Sequence, residues 1–328
     1  MLNDSKIDIE DIADSEDMYH PAIWDMPPVE CLTHLANHSK EDTLPHIYQS
    51  DFNTIKSDYL DYTFIYTDGS KCDNKVACAF VTEAGTGSTR LPDGASIFTA
   101  EAKAVIRSFE YIKFSRRKKF MICSDSLSLI QSIETQNIKN PFVGTIFKRI
   151  DALRNDGKEI LFCWVPGHCG IAGNEKADKA AKEALGKTVT PMKIPYTDKI
   201  PHIKVYLQEK WQKEWNTKID NKLYQIQPKL GPPFVVNTFR KDQVVINRIR
   251  IGHSRLSHSF LMEGQPRSMC RYCDSDYLTV KHVLIDCDHF TDIRTKYFNV
   301  NTMKDLFDKV KIDDILSFLK ETALYQKM

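Results

Sequence analysis

Four things are missing from this chain of 328 residues, and each absence narrows what it can be. No apolar run approaches the roughly 18 residues of a membrane-spanning helix, so no membrane partner is expected. No basic-then-apolar start marks a secretory signal; the N-terminus is acidic and polar. No even cysteine count suggests a disulfide framework. The cysteines number nine, and Cys78, Cys123 and Cys163 sit in apolar runs where a free thiol acts as a small hydrophobe. That usage points to a reducing, intracellular compartment, nucleus or cytoplasm. Finally, net charge is nearly absent at +1, yet that total hides an asymmetry. Residues 1–60 carry 13 Asp/Glu against 3 Lys/Arg, and the remainder carries 31 against 42. An acidic leader therefore precedes a basic body, and a basic body fits a polyanionic partner.

What is present reads as two domains, since 42% apolar content supports one good core and a second, smaller one. Residues 1–58, acidic and interrupted by Pro21, Pro27, Pro28 and Pro45, read as a largely irregular leader. His20, Trp24 and the Pro27-Pro28 pair are its candidates for docking on the body. Residues 59–187 read as a regular α/β domain. Strands are expected at 61–67, 76–82, 85–91, 120–124 and 160–165, and helices at 99–114, 126–133, 141–155 and 174–185. Pro141 opens one helix, and Asn174 is taken as the cap of the last. Three strands followed by helix–strand alternation predict a five-stranded mixed sheet with helices packed on it.

Carboxylates recur at the ends of these elements. Asp68, before Gly69, is read as ending the first strand in turn chemistry. A lone strand-end Asp is ordinarily a turn residue; three more carboxylates change that reading. Glu101 lies in the first turn of the first helix, Asp125 directly follows the fourth strand, and Asp178 lies one turn into the last helix. Such positions converge on one edge of a sheet. Four converging carboxylates repel one another unless cations sit between them. Oxygen ligands without nitrogen or thiolate suit two Mg²⁺ ions, or Mn²⁺. His168, on a Gly-flanked loop, can titrate near neutral pH beside them; its plain alternative is an exposed loop histidine.

Thr67-Asp68-Gly69-Ser70, Thr99-Ala100-Glu101-Ala102, Ser124-Asp125-Ser126 and the run from Trp164 through Pro166, His168, Gly173 and Asn174 to Asp178 resemble ribonucleases H of type 1, in that family's order. The resemblance covers about residues 60–187 and implies an RNase H-like fold. It implies that Asp68, Glu101, Asp125 and Asp178 bind the catalytic metal ions and that His168 serves proton transfer and product release. It implies hydrolysis of the RNA strand of RNA–DNA hybrids, with Glu101 and the Gly69, Ser70, Lys71 turn touching ribose 2′-hydroxyls. Some family members insert a basic, Trp-bearing helix that grips the hybrid; here the corresponding connection is only residues 134–140. The run Arg116-Arg117-Lys118-Lys119 is either a solvated turn or a substitute for that handle.

Residues 188–202, with Pro191, Pro195 and Pro201, read as a linker to a smaller, mostly helical region over 203–328. Ile203, Leu207, Trp211 and Trp215 share one helical face, better suited to core or docking than to base stacking. Residues 242–263 are expected to be partly helical and basic, and residues 302–324 a final amphipathic helix. Cys270 and Cys273 stand two residues apart; eight residues separate Cys273 from His282, and four more precede Cys287. Three sulfurs and one nitrogen suit a structural Zn²⁺ site over 270–287, closed because four protein ligands leave no open position, with His289 as a substitute ligand. This Cys/His segment and the basic run before it are similar to the stretch that follows the RNase H domain in non-LTR retrotransposon polyproteins. That resemblance implies a truncated or derived copy lacking the reverse transcriptase, whose partner enzyme is encoded elsewhere. The readings are therefore an RNA–DNA hybrid ribonuclease, or a catalytically inert nucleic-acid-binding remnant of a retroelement polyprotein. A transposase of related fold fits the residues around His168 less well.

Overall fold

The computed structural model describes residues 12–13, 21, 26–39, 42–232, 234 and 238–328, so His20 and Trp24 lie outside the described residues. Six strands form one sheet: β1 (Glu30–Leu32), β2 (Thr63–Cys72), β3 (Lys75–Thr82), β4 (Gly85–Leu91), β5 (Lys119–Ser124) and β6 (Glu159–Trp164). Their spatial order is β1-β6-β5-β2-β3-β4. β2 pairs antiparallel with β3, and β3 with β4, whereas β1, β6, β5 and β2 run parallel.

Alternation along the parallel strands assigns side chains to two faces. Ile65, Phe120, Ile122, Ile160 and Phe162 face helices α2 (Ile97–Phe114), α3 (Leu127–Glu134) and α4 (Pro141–Asn155). Their alternates Tyr66, Met121, Cys123, Leu161 and Cys163 face α1 (Pro45–Asp58) and α5 (Ala172–Ala184). A sheet covered on both sides needs apolar residues at consecutive positions, which explains the unbroken Phe-Met-Ile-Cys and Ile-Leu-Phe-Cys runs. The expected RNase H-like mixed α/β fold is therefore what these residues form.

Several expectations are corrected. The sheet has a sixth strand, because residues 30–32 of the leader pair in parallel with β6. The leader is not irregular throughout its described part: residues 45–58 form α1, opened by Pro45, and Tyr48 and Phe52 fill the second face of the sheet. Two buried aromatics one turn apart anchor that helix, a signal swamped by the acidic composition around it. Met26 and Pro27 are also buried, and Arg154 donates to the Pro28 carbonyl. Asp68 does not end its strand. β2 continues to Cys72, and the hairpin turn falls at Asp73 and Asn74. Asn174 does not cap α5, which begins at Ala172; it lies inside the helix and is buried.

The chain divides into two compact units, Met1–Lys204 and Val205–Met328. Helix α6 (Tyr196–Trp215) begins inside the expected linker and carries Pro201 within its first two turns. None of its residues is buried, and Trp211 is 62% exposed, so the expected apolar face is not a core face. The second unit contains short helices: α7 (Lys222–Ile226), α8 (Arg240–Ile251), α9 (Arg255–Glu263), α10 (Thr291–Tyr297), α11 (Met303–Lys309) and α12 (Ile312–Glu321). Gly252 in the left-handed region ends α8, and Ser254 starts α9 with a capping box, so the basic stretch is two helices. The expected final helix is likewise two. Val310 and Lys311 are extended between them, and Asp313 and Asp314 in the first turn favour a fresh N-terminus there. Ile246, Ile249, Val283, Leu284, Phe318 and Leu319 are central to the core of this unit. Among the described residues, no helix is long and apolar enough to cross a membrane.

Phe52 is 3% exposed in the face that α1 covers. Phe52→Ala should cost about 3–5 kcal/mol, read as a lowered denaturant midpoint; an unchanged midpoint would return residues 45–58 to the irregular leader.

Candidate active site

The parallel pairing of β2 with β5 sets the site. Thr67 is in register with Ser124, so the next residues, Asp68 within β2 and Asp125 just past the end of β5, lie side by side on adjacent strands. Helix α2 brings the third carboxylate. Ser96 caps it, accepting from the Thr99 amide at 3.1 Å, which starts the helix two residues earlier than expected and puts Glu101 in its second turn. Gly69 lets that turn approach the strand. A Cβ there would stand 2.9 Å from both the Ala100 Cβ and the Glu101 nitrogen. The role of Gly69 is thus close packing, not turn formation. Oxygens of Asp68, Glu101 and Asp125 lie within 4.8 Å of one another.

Asp125 is held from several sides. Its carbonyl accepts from the Trp164 indole at 3.0 Å, and its Oδ2 accepts from Asn174 Nδ2 at 3.4 Å. Gly167 makes room for it, since a Cβ there would come within 2.5 Å of Oδ2. Sequence reasoning missed Asn174 and Gly167 as site residues. A buried Asn inside an Ala-rich helix is the signal that was available for the first.

Asp178 stands two turns into α5 and belongs to a second cluster, with His168 and Glu175. His168 Nδ1 is 4.0 Å from both carboxylates, and Lys182 Nζ lies 2.7 Å from Asp178 Oδ2. His168 is 66% exposed with a positive φ of 60°, beside Gly170 at 76°. This loop is tied to α1: Gln49 Nε2 donates to the Cys169 carbonyl at 2.9 Å, and Cys169 and Ile171 pack in the same cluster as Tyr48 and Phe52.

The electrostatics of the three-carboxylate cluster is unfavourable as it stands. Burial, then the Asp125 and Asp178 charges, pushes Asp68 up to about 8. Burial, with Asp68 and Asp125 beside it, holds Glu101 well above its ordinary value; Asp125 is raised by burial too, opposed by the Asn174 amide. Glu101 Oε2 is buried without a hydrogen-bond partner. A buried, orphaned carboxylate oxygen among like charges fits a hard divalent cation.

The Cys/His cluster lies wholly in the second unit. Ligand atoms of Cys270, Cys273, His282 and Cys287 are all within 4.8 Å. Cys270 Sγ and Cys287 Sγ are 3.9 Å apart, too far for a disulfide, and Cys273 Sγ is 3.2 Å from His282 Nε2. The Cys270 amide donates to the Asp276 carbonyl at 2.7 Å, closing the first pair's loop. Residues 282–286 form a π-helical turn rather than an ordinary helix, and it sets His282 beside Cys287. His282 Nδ1 is buried without a hydrogen-bond partner, and Asp276 Oδ2 stands 3.8 Å from it. The Ser275 hydroxyl and amide beside Cys273 pull its thiol down to about 6, while burial pushes Cys287 up to about 12. His289 is not among the four; its ring tilts against Tyr272 at 5.5 Å.

Carboxyls whose folded pKa is raised bind more protons folded than unfolded. Their contribution is most favourable below the ordinary value of 3.8 and is lost as pH rises through about 8. Asp68→Asn removes one such group. In metal-free protein, thermal midpoints of variant and native chain should coincide in acid and separate in the variant's favour toward pH 8. Millimolar Mg²⁺ should raise the native midpoint more than the variant's. Parallel pH curves would refute the clustering.

Comparison with known proteins bears on residues 61–186, which match the family model described as RNase H. The Pol polyprotein of Equine infectious anemia virus (strain Wyoming) is 33% identical over 123 residues, covering 36% of this chain and 10% of the polyprotein. Ribonuclease H of Methylorubrum extorquens (strain PA1) is 32% identical over 151 residues, covering 38% of this chain and 63% of that protein. Among solved structures, RNase H1 from the halophilic archaeon Halobacterium salinarum NRC-1 aligns with 38% of this chain and 97% of its own, at 23% identity and a TM-score of 0.31. The chain thus spans a tenth of the viral polyprotein and less than two thirds of the bacterial enzyme. Residues 187–328 lie outside the family match. Residues 61–186 are an RNase H domain, homologous to the RNase H regions of retroviral Pol polyproteins.

Proposed function

We propose that this chain hydrolyses the RNA strand of RNA–DNA hybrids through the carboxylate site. The observation that carries the reading is the buried cluster of Asp68, Glu101 and Asp125 within 4.8 Å, with Glu101 Oε2 unpartnered. Asp68, Glu101, Asp125 and Asp178 would hold two Mg²⁺ or Mn²⁺ ions. Bound there, the ions supply the charge that activates water and stabilises the leaving 3′-oxygen. The chain's own residues fix the geometry. Gly69 and Gly167 allow the backbone approaches that bring Glu101 and Asp125 to Asp68, and Asn174 orients Asp125. Glu101 and the β2 residues Gly69, Ser70 and Lys71 are the candidates for reading 2′-hydroxyls, which distinguish RNA from DNA. His168, exposed and 4.0 Å from Asp178, can move a proton at the edge of the site, and Gln49 holds its loop.

One feature supports the second reading, an inert nucleic-acid-binding remnant. Lys182 occupies Asp178 at 2.7 Å, and Asp178 groups with His168 rather than with the other three carboxylates. Cation binding would have to draw Asp178 from Lys182. The similarity of the second unit to a non-LTR retrotransposon segment, and a reverse transcriptase partner encoded elsewhere, belong to this proposal as well.

Cleavage of a labelled hybrid decides between the two. Native chain with Mg²⁺ should cut only the RNA strand, and Asp125→Asn should reduce kcat by at least about 10²-fold. A folded native chain that binds hybrid without cutting it would select the remnant. For the second unit we propose a closed structural zinc site of Cys270, Cys273, His282 and Cys287. Metal analysis of purified protein should then find zinc in equal proportion to chain. Cys270→Ser should lose the metal and lower the thermal midpoint, and retention of zinc by that variant would remove Cys270 from the set.

A further inference from the structure

The strongest unassigned feature lies in the second unit, around the start of α9. Lys222 opens α7, His253 sits in the turn after α8, Arg255 and His258 lie on α9, and Arg267 follows it. Lys222 Nζ is 3.5 Å from His258 Nε2 and donates to the Gly252 carbonyl at 3.2 Å. The rings of His253 and His258 stack at 4.0 Å with an interplanar angle of 22°, and Phe260 continues the stack at 6.0 Å and 28° from His258. His253, Arg255 and His258 line an open cleft of about 630 Å³. Lys222, His253, Arg255 and Arg267 are exposed.

Lys222, His253, Arg255 and His258 thus gather without a paired counter-charge, and Arg267, its guanidinium 5.0 Å over the Tyr277 ring, is near enough for its charge to act on Lys222 and His258. Glu263 lines the same cleft and Asp220 a neighbouring concavity, but among the described residues neither forms an ion pair with any of the five. Like charges this close repel one another unless an anion lies among them. Burial, then His253, Lys222 and Arg267, pulls His258 down to about 4. Burial and Arg267 lower Lys222 as well.

We propose that Lys222, His253, Arg255, His258 and Arg267 form a phosphate-binding site for a single-stranded nucleic-acid segment, with the stacked rings of His253, His258 and Phe260 as the platform for a base. The stack selects this ligand over a bare anion or a lipid headgroup, because cations interleaved with flat rings match alternating phosphates and bases. The choice of nucleic acid rests on the hybrid-cleaving reading of residues 61–186, but the site requires no cleavage. The partial positive charge at the start of α9 adds to the attraction. A bound phosphate offsets the repulsion that holds His258 down, so it should raise that ring's proton affinity, and binding should tighten as pH falls through the histidine range.

The test uses the full chain carrying Asp125→Asn, so that cleavage plays no part, and a fluorescently labelled single-stranded oligonucleotide followed by anisotropy. Arg255→Gln with Arg267→Gln should weaken binding roughly tenfold and flatten the salt slope by about 0.7 for each cation lost. His258→Phe, which keeps a ring and removes the titrating group, should retain binding near pH 8 and lose the tightening toward pH 6. It also stands in should the double variant fail to fold. Unchanged affinity and salt slope in a folded double variant would overturn the proposal. So would loss of binding to phosphatidylserine vesicles with oligonucleotide binding intact, which would make the patch a membrane-surface site. Loss of oligonucleotide binding in a chain whose Asp125 form never cuts a hybrid would uphold this site and sink the hydrolase reading instead.

Discussion

Like-charge crowding between the middle of β2 and the carboxyl end of β5 is the constraint on which the rest of the first unit depends. Three carboxylates share a space of 4.8 Å and are largely withdrawn from water. Left to themselves they would favour protonation or push apart. The surrounding structure prevents the second outcome. Parallel register fixes Asp68 and Asp125, a capped helix fixes Glu101, and an asparagine amide and an indole hold Asp125. What the scaffold leaves unsatisfied is positive charge, and that is the property a cation-dependent phosphodiesterase site requires.

Close approach is the means. Gly69 and Gly167 bear on the carboxylates directly, and Gly173 lets α5 lie on β2, where a Cβ would meet the Tyr66 ring at 2.2 Å. Each glycine is needed because something specific occupies the space a side chain would take. The His168 loop is different. It exposes His168 while burying Cys169 and Ile171, carries left-handed residues and is tied down by a hydrogen bond from α1, a helix outside the matched RNase H residues. The segment before the domain therefore braces the His168 loop.

The second unit solves a separate problem. Its helices are short, and its core is gathered around Cys270, Cys287 and the apolar residues of the π-helical turn. Small helical units of this kind gain from a staple, and the cluster of three thiols with one imidazole is a ligand set that would suit one. The same unit concentrates basic groups around stacked histidines, where, among the described residues, no carboxylate pairs with them. The Cys/His cluster is local to residues 270–287, whereas the basic patch draws on residues 222–267.

Much of this was legible in the sequence because it depends on local order. Strand ends, the Asp125 position directly after β5 and the Cys/His spacing follow from elements a few residues long, and the fold class follows from their succession. The carboxylate cluster was legible for the same reason: each carboxylate sits in a short motif of its own element, although Asp68 lies within β2 and Glu101 in the second turn of α2 rather than at an end. Long-range packing was not. That Gly69 serves helix approach rather than a turn, that Asn174 reaches Asp125 rather than capping α5, and that Tyr48 and Phe52 bind an acidic leader to the sheet all depend on partners distant in the chain. Periodicity and composition report which face a residue takes within its own element. Only tertiary structure decides what meets that face, because the meeting is set by sheet register and helix placement, which no single segment encodes.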